Sequence, residues 1–311
     1  MSSRVIRTAA LAGVTALTLL TVTSCAGDGD GGTEAKGAAT VNASPQAEAQ
    51  AAAEDDAKAG EKKEGVRWGY EGADGPANWA TLSEDFEKCE TGKEQSPIDL
   101  DDDKAVDAPV NTAVTIDYRP VTAELVNNGH TVQANVSEGS RIVLDGTAYD
   151  LKQFHFHLPS EHTEDGEHAE MEVHFVHADK DGKLAVVGVL MEQDSDDRNG
   201  ESGNGGNGGS GGNDDRSPFG DLFAKLPAEE GATVQIGTAF DLTAFLPDDR
   251  DQYRYDGSLT TPACAEGVKW TVLKDEIAVA ANEVAAYKEL FPKSNRPTQP
   301  LNGREVTVVE D

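Results

Sequence analysis

The sequence predicts a mainly β domain with peripheral helices, spanning residues 65–311. Short segments rich in β-branched and aromatic residues recur between turn signals. Two longer apolar runs, 171–177 and 184–191, are separated by Asp179-Lys180-Asp181-Gly182, which is typical of a hairpin turn. A helical pattern is clear only over 273–290, and a weaker one lies at 220–226. We therefore expect one large β-sheet with helices around it.

The remaining predicted strands are short and follow each other closely along the chain. They cover 114–118, 125–126, 131–136 and 141–144, and the last of these is followed by the turn dipeptide Asp145-Gly146. We interpret them as further strands of the same large sheet.

The first 24 residues are typical of a signal peptide. Arg4 and Arg7 precede an apolar run over 9–22, which is too short for a convincing permanent membrane span. The run ends at Val22-Thr23-Ser24-Cys25, which resembles a bacterial lipobox. This predicts an exported protein held at the outer face of the membrane by a lipid on Cys25. The alternative is an ordinary secretory signal in which Cys25 is incidental.

Two segments have the composition of flexible chain. Residues 25–64 are rich in Ala, Gly, Glu, Asp and Lys and contain no aromatic residue, which predicts a lipid-anchored tether. Residues 194–217 are rich in Gly, Asn and Asp, which predicts a disordered surface insertion. The 57 acidic and 26 basic residues give a net charge of −31, which argues against nucleic acid as a partner.

The cysteine count fits export. If Cys25 carries the lipid, Cys89 and Cys264 remain as an even pair in an oxidising compartment, which predicts a disulfide. The alternative is a pair of free buried thiols.

The stretch QFHFHLPSEH at 153–162 indicates a metal site. In a strand, alternation places Gln153, His155 and His157 on one face, while two phenylalanines occupy the other face and pack in the core. Two imidazoles on one face suit a metal ion, but they need further ligands.

A second strand, 171–177, supplies the third ligand. Alternation places Glu172, His174 and Val176 on one face, so His174 meets the first two imidazoles if the strands are neighbours. Three imidazoles with one open position predict a catalytic zinc site, since a structural site needs a fourth protein ligand and none is evident. Gln153 and Glu172 lie two residues before a ligand, where they can accept a hydrogen bond from its second ring nitrogen.

Several motifs together resemble the alpha-class carbonic anhydrases. They are WGY, PANW, GKEQSPIDL, NNGH, QFHFH–PSEH, AEMEVHFVH, GSLTTPAC–EGVKW and RPTQPLNGR, in this order over about 66–311. The resemblance implies a single domain around a large twisted mixed β-sheet. It also implies Zn²⁺ as cofactor and carbon dioxide and bicarbonate as substrates, interconverted when hydroxide held by zinc attacks carbon dioxide.

The resemblance also assigns roles to residues. His155, His157 and His174 would bind zinc. Thr260 would orient the nucleophile and be oriented by Glu161, and His130 would carry the proton to bulk water. The other implied positions are Tyr70 and Asn128 for the water chain, Val176, Val186, Leu259, Thr261 and Trp270 for the carbon dioxide pocket, and Cys89 with Cys264 for a disulfide.

The sequence is also compatible with a second class of function, a binding module. Some members of this fold lack the ligand histidines and serve as binding modules, and an acidic insertion on a tether suits surface display. The complete set of three histidines favours the enzyme. No protein partner is evident in the sequence.

Overall fold

The structure is a computed structural model that describes residues 66–193 and 218–310. Fifteen strands are found in this part of the chain. They are β1 Asp99–Leu100, β2 Val106–Asp107, β3 Thr115–Asp117, β4 Val121–Asn127, β5 Val132–Val136, β6 Arg141–Leu144, β7 Thr147–His157, β8 Thr163–Glu164, β9 Glu167–His168, β10 Met171–Ala178, β11 Leu184–Gln193, β12 Thr233–Phe240, β13 Gln252–Ser258, β14 Glu266–Val279 and β15 Thr307–Val309.

Most strands belong to one large mixed sheet, as predicted. Its order is β12-β4-β5-β7-β10-β11-β14-β13-β15-β2, with β6 paired to β7 and β3 paired to β6. The pairs β11–β14 and β15–β2 are parallel, and the other pairs of this sheet are antiparallel. A small second sheet contains β1, β8 and β9. The centre of the large sheet is formed by β7, β10 and β11, which carry the apolar runs of the sequence.

The helices are short; two of them precede the first strand and two lie between later strands in sequence. In the described residues they are α1 Trp79–Leu82, α2 Lys88–Thr91, α3 Gly220–Phe223 and α4 Ala281–Leu290. Single 3₁₀ turns cover Gly72–Asp74, Pro76–Asn78, Glu84–Phe86, Val110–Thr112 and Leu242–Phe245. The weaker helical pattern at 220–226 corresponds to α3. None of the helices in the described residues has the length and apolar character that a membrane span requires.

The predicted helix over 273–290 is wrong in its first half. Residues Glu266–Val279 form β14, and the helix begins only at Ala281. Leu273 and Ile277 are both buried in the same core cluster, and the pairing of β11 with β14 shifts register between them. A spacing of four between buried residues fits a helix, but residues i and i+4 of a strand also share a face, so this spacing does not distinguish the two.

The main hydrophobic core lies on one face of the large sheet. Phe154 and Phe156 of β7 and Phe175 of β10 are fully buried there. Phe245 packs on Phe154 at 5.8 Å and Phe223 packs on Phe156 at 5.0 Å between ring centroids. This aromatic packing fixes which face of β7 and β10 points inward, so the histidines of both strands point to the other side.

Cys89 and Cys264 form a disulfide that joins positions 175 residues apart. Cys89 lies in α2, and Cys264 lies in the loop between β13 and β14. The bond closes a long loop of chain, which is the situation in which a disulfide most restricts the unfolded state. The predicted pairing is therefore present in the structure.

Several predicted segments lie outside the described residues. These are the signal peptide 1–24, Cys25 and the tether 25–64, and the insertion 194–217.

His177 lies on the core side of β10 and is fully buried. Its Nδ1 lies 3.2 Å from the carbonyl oxygen of Ala185, to which it donates, so Nε2 accepts from the Tyr118 hydroxyl at 2.9 Å. Burial lowers the pKa of His177 from 6.5 to about 3, because a charged imidazole would lose its hydration there.

We expect His177 to make the fold acid-sensitive. Below pH 6.5 the unfolded chain binds a proton at this histidine, whereas the folded chain does so only near pH 3, so stability is lost as the pH falls through this window. His177→Gln should remove this part of the loss, about 1.4 kcal/mol between pH 7.5 and 5.5. Urea unfolding of wild type and variant at the two pH values measures it.

His168→Gln is the matched control, because it removes a histidine that is exposed. This variant should lose as much stability as wild type between the two pH values. An equal loss of stability in wild type and His177→Gln would contradict the prediction.

Candidate metal centre

The pairing of β7 with β10 brings three imidazoles together. In the antiparallel register His174 lies opposite His155, and Glu172 lies opposite His157. The ring centroids are 5.0 Å apart for His155–His157, 5.4 Å for His155–His174 and 4.6 Å for His157–His174. One ligand atom from each ring lies within 4.8 Å of the other two. The alternation read from the sequence thus produces a three-histidine cluster.

Each ring is held by an acceptor on one of its nitrogens. His155 Nδ1 lies 2.8 Å from Gln153 Oε1, and His174 Nε2 lies 2.7 Å from Glu172 Oε1. These are the two acceptors nominated from the sequence. The acceptor for His157 Nδ1 is the carbonyl oxygen of Ser294 at 2.5 Å.

The other nitrogens of the cluster are suited to a metal ion. Donation through one nitrogen leaves a lone pair on His155 Nε2, His157 Nε2 and His174 Nδ1. His157 Nε2 is buried and has no hydrogen-bond partner among the described residues, as expected of a ligand atom. Burial lowers the pKa of all three histidines, that of His157 to about 4, so the rings are neutral, as metal binding requires.

The ligand set fits zinc in an open site. Imidazole nitrogen is a preferred zinc ligand, and three protein ligands are typical of a catalytic site. Among the described residues, no fourth histidine, cysteine or carboxylate joins this cluster. The arrangement therefore differs from a closed structural zinc site.

Glu172 is the centre of a buried hydrogen-bond network. Its Oε1 lies 2.7 Å from His174 Nε2 and from His162 Nδ1, and its Oε2 accepts from the backbone N–H groups of Glu161 and His162 at 2.8 Å. Burial raises the pKa of Glu172, but the two imidazoles outweigh burial and hold the pKa well below its usual range. His162 and His174 both already form hydrogen bonds with Glu172. We therefore interpret these three residues as a network that holds the His174 ring in place.

Glu161 lies behind the cluster and beside Thr260. Its Oε2 is 3.5 Å from His157 Nε2, and its Oε1 accepts from the backbone N–H of Arg296 at 2.7 Å. Burial raises the pKa of Glu161 to about 7, while His174 and the Thr260 hydroxyl act in the opposite direction. A divalent cation at the imidazoles would also favour the ionised carboxylate.

The imidazoles open into a cavity of about 360 Å³. The predicted pocket residues all line it: Val176, Val186, Leu259, Thr261 and Trp270. Thr260 lines the same cavity, whereas the Glu161 carboxylate is fully buried. The cavity therefore combines three imidazoles and one hydroxyl with an apolar wall, which suits a small uncharged substrate.

His130 lies in the wall of the same cavity, together with Tyr70 and Asn128. Asn128 Oδ1 accepts from the backbone N–H groups of His130 and Thr131, at 3.0 and 2.9 Å, so its side chain fixes the turn that carries His130. The His130 ring stacks on Trp68 with 3.5 Å between centroids and 9° between planes. Burial lowers the pKa of His130 to about 4.

Sequence reasoning missed three contributors to the site. They are Ser294, which accepts from His157, Arg296, which donates to Glu161, and Trp68, which stacks on His130. Ser294 and Arg296 form these bonds through the backbone, so the bonds could not be predicted from the type of side chain at either position. Trp68 and Arg296 occur in motifs that carry the family resemblance, which is the signal that could have pointed to them.

Comparison with known proteins identifies related chains. A family model described as eukaryotic-type carbonic anhydrase matches residues 74–310. A carbonic anhydrase of Klebsiella pneumoniae is 39% identical over 243 residues, which are 77% of this chain and 89% of the relative. One from Pectobacterium atrosepticum is 36% identical over 240 residues, with the same coverage of both chains.

A solved structure shows the same fold. It is the complex of alpha-carbonic anhydrase from Thermovibrio ammonificans with the inhibitor sulfanilamide. The TM-score is 0.69 at 37% sequence identity, and the alignment covers 78% of this chain and 99% of the other. The likeness extends over the whole of that enzyme.

We predict that Glu172→Gln weakens zinc binding about 10- to 100-fold, because the charged acceptor for His174 is replaced by a neutral amide. Competition with a chelator of known zinc affinity measures the change. Glu167→Gln, an exposed carboxylate on β9, is the matched control and should bind zinc like wild type. Wild-type affinity in folded Glu172→Gln would contradict the role of this carboxylate.

Proposed function

The chain belongs to the eukaryotic-type carbonic anhydrase family, and on this premise we propose that it catalyses the zinc-dependent, reversible hydration of carbon dioxide to bicarbonate and a proton. Its enzyme class is that of a lyase. The observation that carries the proposal is the cluster of His155, His157 and His174, each held through one nitrogen with the other left for a metal ion.

Zinc held by these three rings would lower the pKa of a coordinated water molecule to about 7, which supplies an oxygen nucleophile near neutral pH. The protein contributes ligand orientation through Gln153, Glu172 and the Ser294 carbonyl. Because each acceptor fixes one ring nitrogen as donor, the tautomers needed for binding exist before the metal arrives.

Thr260 and Glu161 would orient the nucleophile. In this proposal the Thr260 hydroxyl donates its proton to the buried Glu161 carboxylate, which makes its oxygen available only as an acceptor. An attacking oxygen that donates to Thr260 then turns a lone pair towards the substrate. The backbone N–H of Arg296 holds Glu161 in place at 2.7 Å.

The apolar wall would hold carbon dioxide. This molecule is small and uncharged, so Val176, Val186, Leu259 and Trp270 can receive it without a charged partner and exclude water from that side. Bicarbonate is anionic, so an apolar wall binds it less favourably than it binds carbon dioxide. This difference promotes the exchange of bicarbonate for water. His130, on the cavity wall near Tyr70 and Asn128, would then pass the remaining proton to bulk water.

The decisive test is His174→Ala. We expect loss of bound zinc and of carbon dioxide hydration with the sheet intact, measured by metal analysis, stopped-flow hydration and circular dichroism. His168→Ala removes an exposed histidine and should retain both properties. Hydration by wild type should also be inhibited by sulfanilamide, the inhibitor bound by the Thermovibrio relative. Zinc-loaded wild type without hydration activity would refute the proposal.

Thr260→Ala separates orientation of the nucleophile from metal binding in the same experiment. It should keep zinc and lose about 100-fold in kcat/KM, because a misplaced nucleophile attacks poorly. Thr260→Ser keeps the hydroxyl and should retain most of the activity.

We also propose export and attachment to the membrane through a lipid on Cys25. The disulfide between Cys89 and Cys264 supports an oxidising compartment. Cells fed a labelled fatty acid should incorporate the label into the wild-type chain and not into Cys25→Ala. Equal labelling of both chains, or of neither, would contradict lipidation at this residue.

A further inference from the structure

The turn that carries His130 is fastened to a neighbouring loop. Asn127 donates its backbone N–H to the Ala232 carbonyl at 3.1 Å, and its own carbonyl accepts from Gly231 at 2.7 Å. The Asn127 side chain also donates to the Pro227 carbonyl at 3.0 Å. These bonds hold the backbone of the loop 227–232 against the turn 127–131, so a side chain of this loop starts from a fixed point close to the turn that carries His130.

That side chain is Glu230. It lies over Gly129, the residue before His130, whose φ of +89° favours glycine. A Cβ added at Gly129 would lie 3.1 Å from Glu230 Cγ and Cδ and 3.5 Å from Oε1, so the Glu230 side chain occupies the space directly over Gly129. Glu230 is exposed, whereas the His130 ring is covered on one side by Trp68.

The surroundings of His130 oppose its protonation. Burial lowers its pKa to about 4, while the charge of Glu230 acts in the opposite direction. The aromatic and amide neighbours, Trp68, Tyr70 and Asn128, carry no charge that could help. An acceptor with such a pKa takes a proton poorly from a donor with a pKa near 7, so a charge that favours the imidazolium has a direct effect on transfer.

We propose that Glu230 is a positioning residue for proton export: its carboxylate, which lies over the 127–131 turn, stabilises protonated His130 until the proton passes to bulk water or buffer. The inference rests on the proposed function. In the hydration direction His130 accepts one proton at an imidazole nitrogen and releases one proton to solvent, and Glu230 itself neither gains nor loses a proton.

The experiment compares Glu230→Gln with Glu229→Gln in the full chain loaded with zinc. Glu229 is a second exposed carboxylate of the same loop, and its contact with Ala232 uses only its backbone carbonyl. Both variants lose one negative charge, but only Glu230→Gln loses the charge over the turn. NMR titration of the His130 ring and stopped-flow hydration are measured for each protein.

We expect Glu230→Gln to weaken proton binding by His130 about two- to fivefold, as for a nearby exposed charge. At low buffer concentration kcat should fall about two- to threefold, while kcat/KM stays unchanged because attack on carbon dioxide precedes proton export. Imidazole buffer at high concentration should restore kcat, and added salt should reduce the difference from wild type. Glu229→Gln should behave like wild type.

The double variant Glu230→Gln/His130→Ala shows whether Glu230 acts through His130. Its kcat should equal that of His130→Ala. An unchanged His130 titration or an unchanged kcat in Glu230→Gln would overturn the inference, and so would an equal effect of Glu229→Gln.

The two proposals fail in different ways. If His130→Ala has the kcat of wild type, Glu230 has no role in proton export, yet carbon dioxide hydration stands. If wild type hydrates no carbon dioxide, the proposed function fails and the inference about export fails with it.

Discussion

The register between β7 and β10 is the constraint on which the site depends. Opposite residues such as His155 and His174 share a face of the sheet, so the pairing that buries Phe154, Phe156 and Phe175 also gathers the imidazoles. A slip of one residue would turn the histidines of one strand into the core and its phenylalanines into the cavity. The aromatic core therefore selects the register, and the register assembles the three candidate ligands.

The charge of the buried Glu172 carboxylate is stabilised by hydrogen bonds from the residues around it. Two imidazoles and two backbone N–H groups surround its oxygens, so the charge is compensated although the side chain is fully buried. The same contacts fix His174 as a donor through Nε2. His162 continues the network, since its Nε2 lies 2.7 Å from the Tyr255 hydroxyl. A charge that would otherwise destabilise the core thus sets the tautomer of one candidate ligand.

The parts of the site that depend on local alternation could be predicted from sequence, since the acceptors Gln153 and Glu172 lie two residues from the histidines they hold. Contacts between distant segments could not be predicted, because no periodic pattern of the sequence relates residues that lie so far apart. The hydrogen bond between His157 and Ser294, for example, spans 137 residues. The fold shows the same limit. Local pattern predicts β3 to β7, β10 and β11, but not the other strands. For Leu273 and Ile277 the local pattern fits a helix, and only the pairing with β11 shows that this segment is extended.

The disulfide and the proposed hydroxyl–carboxylate pair belong to one connected unit. The Cys89 carbonyl accepts from Arg296 Nη2 at 2.9 Å, and the backbone N–H of Arg296 donates to Glu161 at 2.7 Å. The other half of the disulfide, Cys264, lies four residues after Thr260. Covalent closure therefore connects the segment that holds Glu161 with the loop that carries Thr260. Since a displacement of about 1 Å can lower a rate about 100-fold, a cross-link at this place would serve the proposed orientation of Thr260 as well as stability.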